Sequence, residues 1–224
     1  MAITKQQQLY EALRERILSG RYSPGYRLVI DQIAAEFSVS ALPVREAIRR
    51  LEAEGLIIYR PNAGAQVAPV EPEAFEENMT LLAVLEGYAT ALAAAEMTSA
   101  DLELLEDRTK AMVTAMEAMD SVSFGRCNRE FHEVIYARCP NAALVAMLSE
   151  VARKLDAIRS TVFVHIPYRG ARSVQEHHEL IALLRNPGSA AEIEALAREH
   201  KLHTVTSFQE WQHKHEQAQD ASTP

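Results

Sequence analysis

Two cysteines in 224 residues are too few for a disulfide framework. Cys127 and Cys139 are also too loosely placed for a Cys-based zinc site. No resolving partner marks Cys127 as a redox thiol beside Arg126, so both are expected as reduced thiols. Aromatic side chains make up only 6% of the chain against 48% hydrophobic, and the abundance of Ala, Leu and Glu favours helices. No run approaches the length of a membrane span, and the N-terminal MAITKQQQLYEAL lacks the apolar core of a signal peptide. These absences predict a cytoplasmic protein with no membrane partner. Positive charge is in deficit as well, with 23 Lys and Arg against 31 Asp and Glu, a net charge of −8. The deficit is uneven: residues 1–70 carry 9 basic against 7 acidic groups, and residues 71–224 carry 14 against 24. An acidic chain can still meet nucleic acid through a local basic face, since charge is felt over about 8–10 Å at physiological salt.

What is present is concentrated first in Ser38–Gly64, SVSALPVREAIRRLEAEGLIIYRPNAG. Ser40 stands at an N-cap position, and Pro43 is tolerated in the first turn, where the amides have no intrahelical partner. Val44, Ile48 and Leu51 recur at helical spacing as one buried stripe. Arg45 and Arg49, four apart, leave together on another face. Glu54-Gly55 ends the helix. Leu56–Tyr59 is β-prone, and Pro61-Asn62-Ala63-Gly64 turns the chain into Ala65–Ala68 as a small hairpin. Upstream, Asp31–Phe37 reads as a short helix with Ile33, Ala34 and Phe37 inward, and Ser38-Val39 as a tight connection. The order predicts a winged helix-turn-helix, whose second helix offers its N-terminal side chains to base edges in a major groove. Two arginines on a helix are otherwise an ordinary solvated face; the tight turn, capped helix and glycine-tipped hairpin in sequence are what point to DNA.

Those residues resemble the N-terminal domain of the GntR family of bacterial transcription regulators, in SGRYSPGYRL, IAAEFSVS, PVREAIRRLEAEGLI and PNAGAQV. The resemblance implies a homodimer that sets two recognition helices on a palindromic operator in double-stranded DNA, with Ser40, Arg45, Arg49 and Gly64 near it. The family most often has Arg-Thr before the proline; Ala41-Leu42 stands there instead, so a hydrogen-bonding pair that commonly meets bases is missing.

Pro69-Val70-Glu71-Pro72 divides the chain, predicting a DNA-binding domain over 1–70 and an all-helical domain over 71–224. Helices are expected at Pro72–Met97, Ser99–Met119, Val122–Ala137, Ala142–Phe163, Tyr168–Arg185 and Ala190–His213. The fold class is therefore mostly α, a winged helix-turn-helix followed by an antiparallel six-helix bundle, and bundle cores are where such folds build ligand and metal sites. Met112, Met116 and Met119, at i, i+4 and i+7, read as core or interface packing.

In Asn128-Arg129-Glu130-Phe131-His132 an amide oxygen and an imidazole leave one helical face. His177 and His200 on later helices could join them on one ion, though such spacing is not diagnostic as a zinc finger's is. This half resembles the FCD domain of the FadR-like branch of the same family, in its six-helix form. The resemblance lies in NREFH, in Ser173 through Glu176-His177 with Leu180 and Ile181, and in Glu199-His200. It implies a divalent metal, Zn or Ni, on Asn128, His132, His177 and His200, with His178 and His203 as bystanders. The family's first ligand is most often Asp, and Asn is a frequent substitute. An arginine that usually precedes the Leu-Glu of the first helix is absent from Leu81-Leu82-Ala83-Val84-Leu85-Glu86, so the effector pocket is expected to use Arg159, Tyr168 or Arg172, or to take a less anionic ligand. Three imidazoles and an amide cancel none of a dication's charge, which favours water or a carboxylate at open positions. The expected function is a regulator, in the first instance a repressor, controlled by a small organic acid. Two alternatives remain: a metalloenzyme in which Glu130 or Glu176 activates water, and a purely structural dimerisation bundle. No substrate-orienting motif accompanies the histidines, so no enzymatic activity is expected.

Overall fold

The computed structural model describes residues 4–18, 21–60, 63–69 and 71–220, apart from the side chains of residues 153, 156–165, 167 and 215–220. The first half opens with α1 (Lys5–Leu18), which the sequence reading leaves unassigned. Its Leu9, Leu13 and Ile17 recur every four residues and are buried against the helix that carries the arginines. Then come α2 (Ile30–Glu36) and α3 (Ala41–Ala53). The chain turns between them at Ser38, whose φ of 52° is left-handed, and the Val39 amide returns to the Ala34 carbonyl at 3.0 Å. Ser40 has the extended backbone of an N-cap, yet its side chain makes no cap hydrogen bond. Val44, Ile48 and Leu51 are fully buried, as their spacing predicts, with Ala47 beside them.

The helix closes at Gly55, φ 76°, and the Leu56 amide reaches back to the Leu51 carbonyl at 2.9 Å. Leu56 therefore belongs to the helix end, and β1 runs one residue later than expected, over Ile57–Arg60. It pairs antiparallel with β2 (Gly64–Val67), Ile57 opposite Val67 and Arg60 opposite Gly64. Gly64 has φ 78°, a conformation that suits glycine at the foot of the turn. Pro61 and Asn62 of the expected turn lie outside the described residues.

Six helices follow: α4 (Pro72–Ala93, extended by a 3-10 turn over Ala94–Glu96), α5 (Ser99–Glu117), α6 (Ser121–Tyr136), α7 (Ala142–His165), α8 (Pro167–Arg185) and α9 (Ala190–Asp220). Pro72 fills the first turn of α4, where it removes no helical hydrogen bond. Thr98 and Asp101 form a reciprocal capping box on α5, and Arg138 at 2.8 Å helps draw the Asp101 carboxyl down to about 2. Asp120 caps α6 through the Ser123 amide. Among the methionines, Met112 is buried and Met116 packs beside it, but Met119 lies two residues past the end of α5 with φ 53° and is exposed.

The apolar residues gather into separate clusters, one from residues 9–67 and two within 75–208. At the centre of the larger is α4. Contrary to expectation, its Pro72–Glu96 stretch is long and apolar enough by length and composition to cross a membrane. Half of its most apolar 18-residue window is buried inside the protein, with Phe75, Met79, Leu82 and Ala83 fully covered, as befits the core helix of a bundle. Helix α9 packs along it closely: a Cβ added at Gly87 would stand 2.9 Å from the Glu194 carbonyl oxygen and 3.2 Å from the Arg198 Cβ.

Candidate functional site

On α3 the Arg45 and Arg49 side chains are exposed, with Glu46 3.5 Å from Arg49. Arg50 is committed to the fold, its guanidinium 3.7 Å from the Tyr10 ring centroid and its Nη1 donating to Gln7. Ser40 is exposed at the start of the same helix and Leu42 is 66% exposed in its first turn. Gly64 sits half-buried at the start of the wing's second strand. The helix thus presents a polar and cationic N-terminal face while Val44, Ala47, Ile48 and Leu51 anchor its back.

In the helical half, His132 from α6, His177 from α8 and His200 from α9 come together. One ligand nitrogen from each lies within 4.8 Å of the others, and all three are buried. Their ring centroids form a compact triangle of 5.1, 5.3 and 4.8 Å. His177 stacks on Phe131, centroids 3.8 Å apart and planes within 4°. Neither of its nitrogens has a hydrogen-bond partner, and neither has the buried Oδ1 of Asn128, one helical turn before His132. Buried polar atoms are ordinarily satisfied, so unpaired ligand atoms beside two further imidazoles make a place that could hold a metal ion. The donor set, three nitrogens and one amide oxygen, suits a borderline divalent ion such as Zn or Ni.

One nitrogen each of His132 and His200 faces a carboxylate. Glu86 Oε1 on α4 lies 3.1 Å from His132 Nδ1, and Glu176 Oε2 on α8 lies 2.7 Å from His200 Nδ1. Such contacts fix ring orientation and raise the basicity of the opposite nitrogen. Glu176 also gathers Arg169 at 2.7 Å, Arg172 at 3.1 Å and His203 at 2.7 Å. Arg169, 1% exposed, further donates to the Thr204 hydroxyl and the His200 carbonyl. Glu86 receives the Tyr136 hydroxyl and lies 3.1 Å from Lys201 Nζ, which is itself 2.8 Å from His132 Nε2. Burial pushes the Glu86 carboxyl up, but His132, Lys201 and Tyr136, all directed at it, outweigh that and hold it well below the usual carboxylate range. Burial, reinforced by the surrounding histidines, Lys201 and Arg169, drives His177 and His200 well below the usual imidazole range. Both imidazoles are therefore neutral, the form that offers a lone pair to a metal.

The residues expected around the effector sit further out. Tyr168 is half exposed, its hydroxyl donated to the Ser207 carbonyl at 3.3 Å; Arg172 is half exposed and rests on Glu176. The side chain of Arg159 lies outside the described residues. Among the described residues, the cationic groups that reach the histidines are Arg169 and Lys201, neither of which is among the expected site residues. His203 joins the Glu176 network, while His178 is exposed on α8.

A winged helix-turn-helix joined to an all-helical domain is the architecture of a class of helix-turn-helix transcription regulators. The chain belongs to the GntR family of bacterial regulatory proteins and carries an FCD domain, the former matching over residues 5–67 and the latter over residues 77–203. It is similar to an HTH-type transcriptional regulator in the TAR-I ttuE-ttuC' intergenic region of Agrobacterium vitis, 33% identical over 131 residues, which cover 57% of this chain and 77% of that one. It is 25% identical over 187 residues to the HTH-type transcriptional repressor RspR of Escherichia coli, covering 83% and 82% of the two chains. The solved structure of E. coli McbR/YncC has the same fold, with a TM-score of 0.66 at 23% identity over 94% of this chain and 100% of that one. This chain is accordingly a DNA-binding transcriptional regulator and not an enzyme.

Proposed function

We propose that the chain is a cytoplasmic repressor whose grip on a palindromic operator is relaxed by a small organic acid bound at a metal in its helical domain. Residues 1–70 would read DNA through Ser40, Arg45, Arg49 and the wing at Gly64, and residues 71–224 would sense and dimerise. Support for a homodimer is an outward stripe on α4, where Leu81, Val84 and Tyr88 lie at i, i+3 and i+7 and are each more than two-fifths exposed. The repressor role is supported by the likeness to RspR.

The observation that carries the sensing half is the pairing of unsatisfied buried donors with a histidine cluster: Asn128 Oδ1 and both nitrogens of His177 beside His132 and His200. Those four side chains would hold the ion, Zn or Ni. When bound, the ion supplies a Lewis-acid anchor for a carboxylate. Glu86 and Glu176 aim the imidazoles, and Phe131 fixes the plane of His177. Arg172, joined to the cluster through Glu176, and Tyr168, one turn before it, would meet the acid on the solvent side, with Arg159 as a further cation. A ligand can shift the operator equilibrium only by binding its two states unequally, and α6, α8 and α9 each contribute a residue whose position such a ligand would bias.

The test uses full-length protein without a His-tag. Wild type should retain divalent metal on purification, and His132→Ala should lose most of it. The variant should bind operator normally while ignoring a panel of small carboxylic acids that release the wild type. Full metal content in His132→Ala would refute the ligand assignment; lost metal with an intact acid response would make the ion structural.

A further inference from the structure

Lys201 is 2% exposed, follows His200 directly on α9, and stands on that helix's buried face with Ile193, Ala197 and Thr204. A lysine there is costly unless its ammonium is paired, and the pairing is specific: Nζ lies 3.1 Å from Glu86 Oε1 and 2.8 Å from His132 Nε2. An ammonium has only donors to offer, so the His132 nitrogen at 2.8 Å is the acceptor, and its lone pair is in use. The opposite nitrogen of the same ring faces Glu86 at 3.1 Å. Each nitrogen of His132 thus has a charged group within 3.1 Å, whereas neither nitrogen of His177 has a hydrogen-bond partner. The lone pair that His132 would give a metal is the one Lys201 holds. A single imidazole nitrogen cannot serve both, and two cations at that separation repel strongly in a buried setting.

We propose that Lys201 is a tethered cation that competes with the divalent metal for His132, giving the cluster two exclusive states. In one, Lys201 is seated on His132 and Glu86. In the other, the metal is held by Asn128, His132, His177 and His200, and Lys201 has withdrawn. The inference rests on reading the cluster as a metal site. It assigns Lys201 and Glu86 the setting of metal affinity, weaker than the four donors alone would give. It also couples occupancy to α9, since adjacent residues of that helix supply the competitor and a ligand.

The experiment measures Zn(II) affinity by competition with a chromophoric chelator for the full-length wild type, Lys201→Met and Glu86→Gln/Lys201→Met. Methionine keeps the length and packing of the side chain; the double variant also removes the counter-charge, so no lone ion is buried. Both variants should bind Zn(II) at least about tenfold tighter than wild type, which converts to about 1.4 kcal/mol. Zn(II) should also raise their melting temperatures more. Tightening in the double variant suffices if the single one fails to fold, and a wild type that binds no Zn(II) beside variants that do would support the competition most strongly. Unchanged or weaker affinity in both variants overturns it, leaving the metal reading intact if wild type binds and His132→Ala does not. Tightening in Lys201→Met alone also overturns it, since the freed Glu86 would then be the new ligand. No Zn(II) binding by any of the three overturns the competition and the metal reading together.

Discussion

The two halves of the chain put their working polar groups in opposite places. In the winged half the interior is apolar, with Leu13, Ile17, Val44, Ile48 and Leu51 at its centre, while Arg45 and Arg49 stand in solvent. In the helical half Glu86, His132, Arg169, Glu176, His177, His200 and Lys201 are all inside. On the proposed reading the α3 face meets phosphates and base edges, and such a surface must be reachable by a rigid duplex, so its residues add little to stability and can change without disturbing the core. An interior site gains electrostatic strength from exclusion of water, but a member left unmatched, as His177 is, carries a cost unless something fills its place. The first arrangement separates function from folding; the second joins them.

The sharpest way to break that contrast is Glu86→Ala, which strands Lys201 and His132 in the core. It should cost about 3–5 kcal/mol in denaturant unfolding. A second test varies pH on the metal-free protein. His177 and His200 have folded-state pKa values below those of the unfolded chain, so the unfolded state takes up protons first as pH falls past about 6.5. Stability is complete above that value and should decline below it, by about 1.4 kcal/mol per pH unit for each histidine. Glu86, depressed rather than raised, keeps its contribution until pH falls below the ordinary carboxylate range, so its loss belongs to a separate, more acidic window. Flat stability from pH 7.5 to 5.5 would show that these histidines are not buried neutral.

On the other side of the contrast, Arg45→Ala and Arg49→Ala should each weaken operator binding by about 1–3 kcal/mol where the side chain reads a base. Their stability should stay within about 0.5 kcal/mol of wild type. A titration at fixed salt with unchanged affinity in both would remove α3 as the recognition helix. The smallest effects concern two caps. Thr98→Ala should cost about 1 kcal/mol because both hydrogen bonds of the Thr98–Asp101 box are made, whereas Ser40→Ala should cost at most a few tenths, since Ser40 makes none. A large loss of operator affinity in Ser40→Ala with normal stability would mark that hydroxyl as a DNA contact.

How much was legible follows the same divide. The stripe of Val44, Ile48 and Leu51 and the glycines at 55 and 64 are local signals, set by helical period and by backbone sterics, and α3 and the hairpin lie within a residue of where these place them. The three histidines meet as the resemblance implies, but of the groups around them only Glu176 stands out in the sequence, and as a base rather than as a partner of His200. Lys201 sits among Arg198, Glu199, His200 and His203 and looks like part of a solvated face; Glu86 looks like a charge interrupting an apolar helix. Each nevertheless falls on the core register of its helix, Glu86 four residues after Leu82 and Lys201 four after Ala197. Arg169 likewise precedes Ser173 and His177 at intervals of four. A charge on an apolar register is a detectable signal, yet which partner satisfies it depends on α4, α6 and α9 converging, and that is a tertiary fact. Helix α1 has no counterpart among the expected elements, although its Leu9, Leu13 and Ile17 carry the same period.

Between residues 81 and 88 every side of α4 is spoken for. Leu82 and Ala83 fill the core, Glu86 faces the histidines, Gly87 admits α9, and Leu81, Val84 and Tyr88 line the outward stripe. Seen as an evolutionary problem, such a helix has almost no neutral neighbourhood in sequence space: a change that suits one side tends to be judged by another. The exposed turn of α3 has the reverse property, since Leu42 and Arg45 can vary over a core that does not register them. A lineage of such proteins would acquire new operators by drift and selection at single positions, while new ligands would require coordinated substitutions on several helices at once.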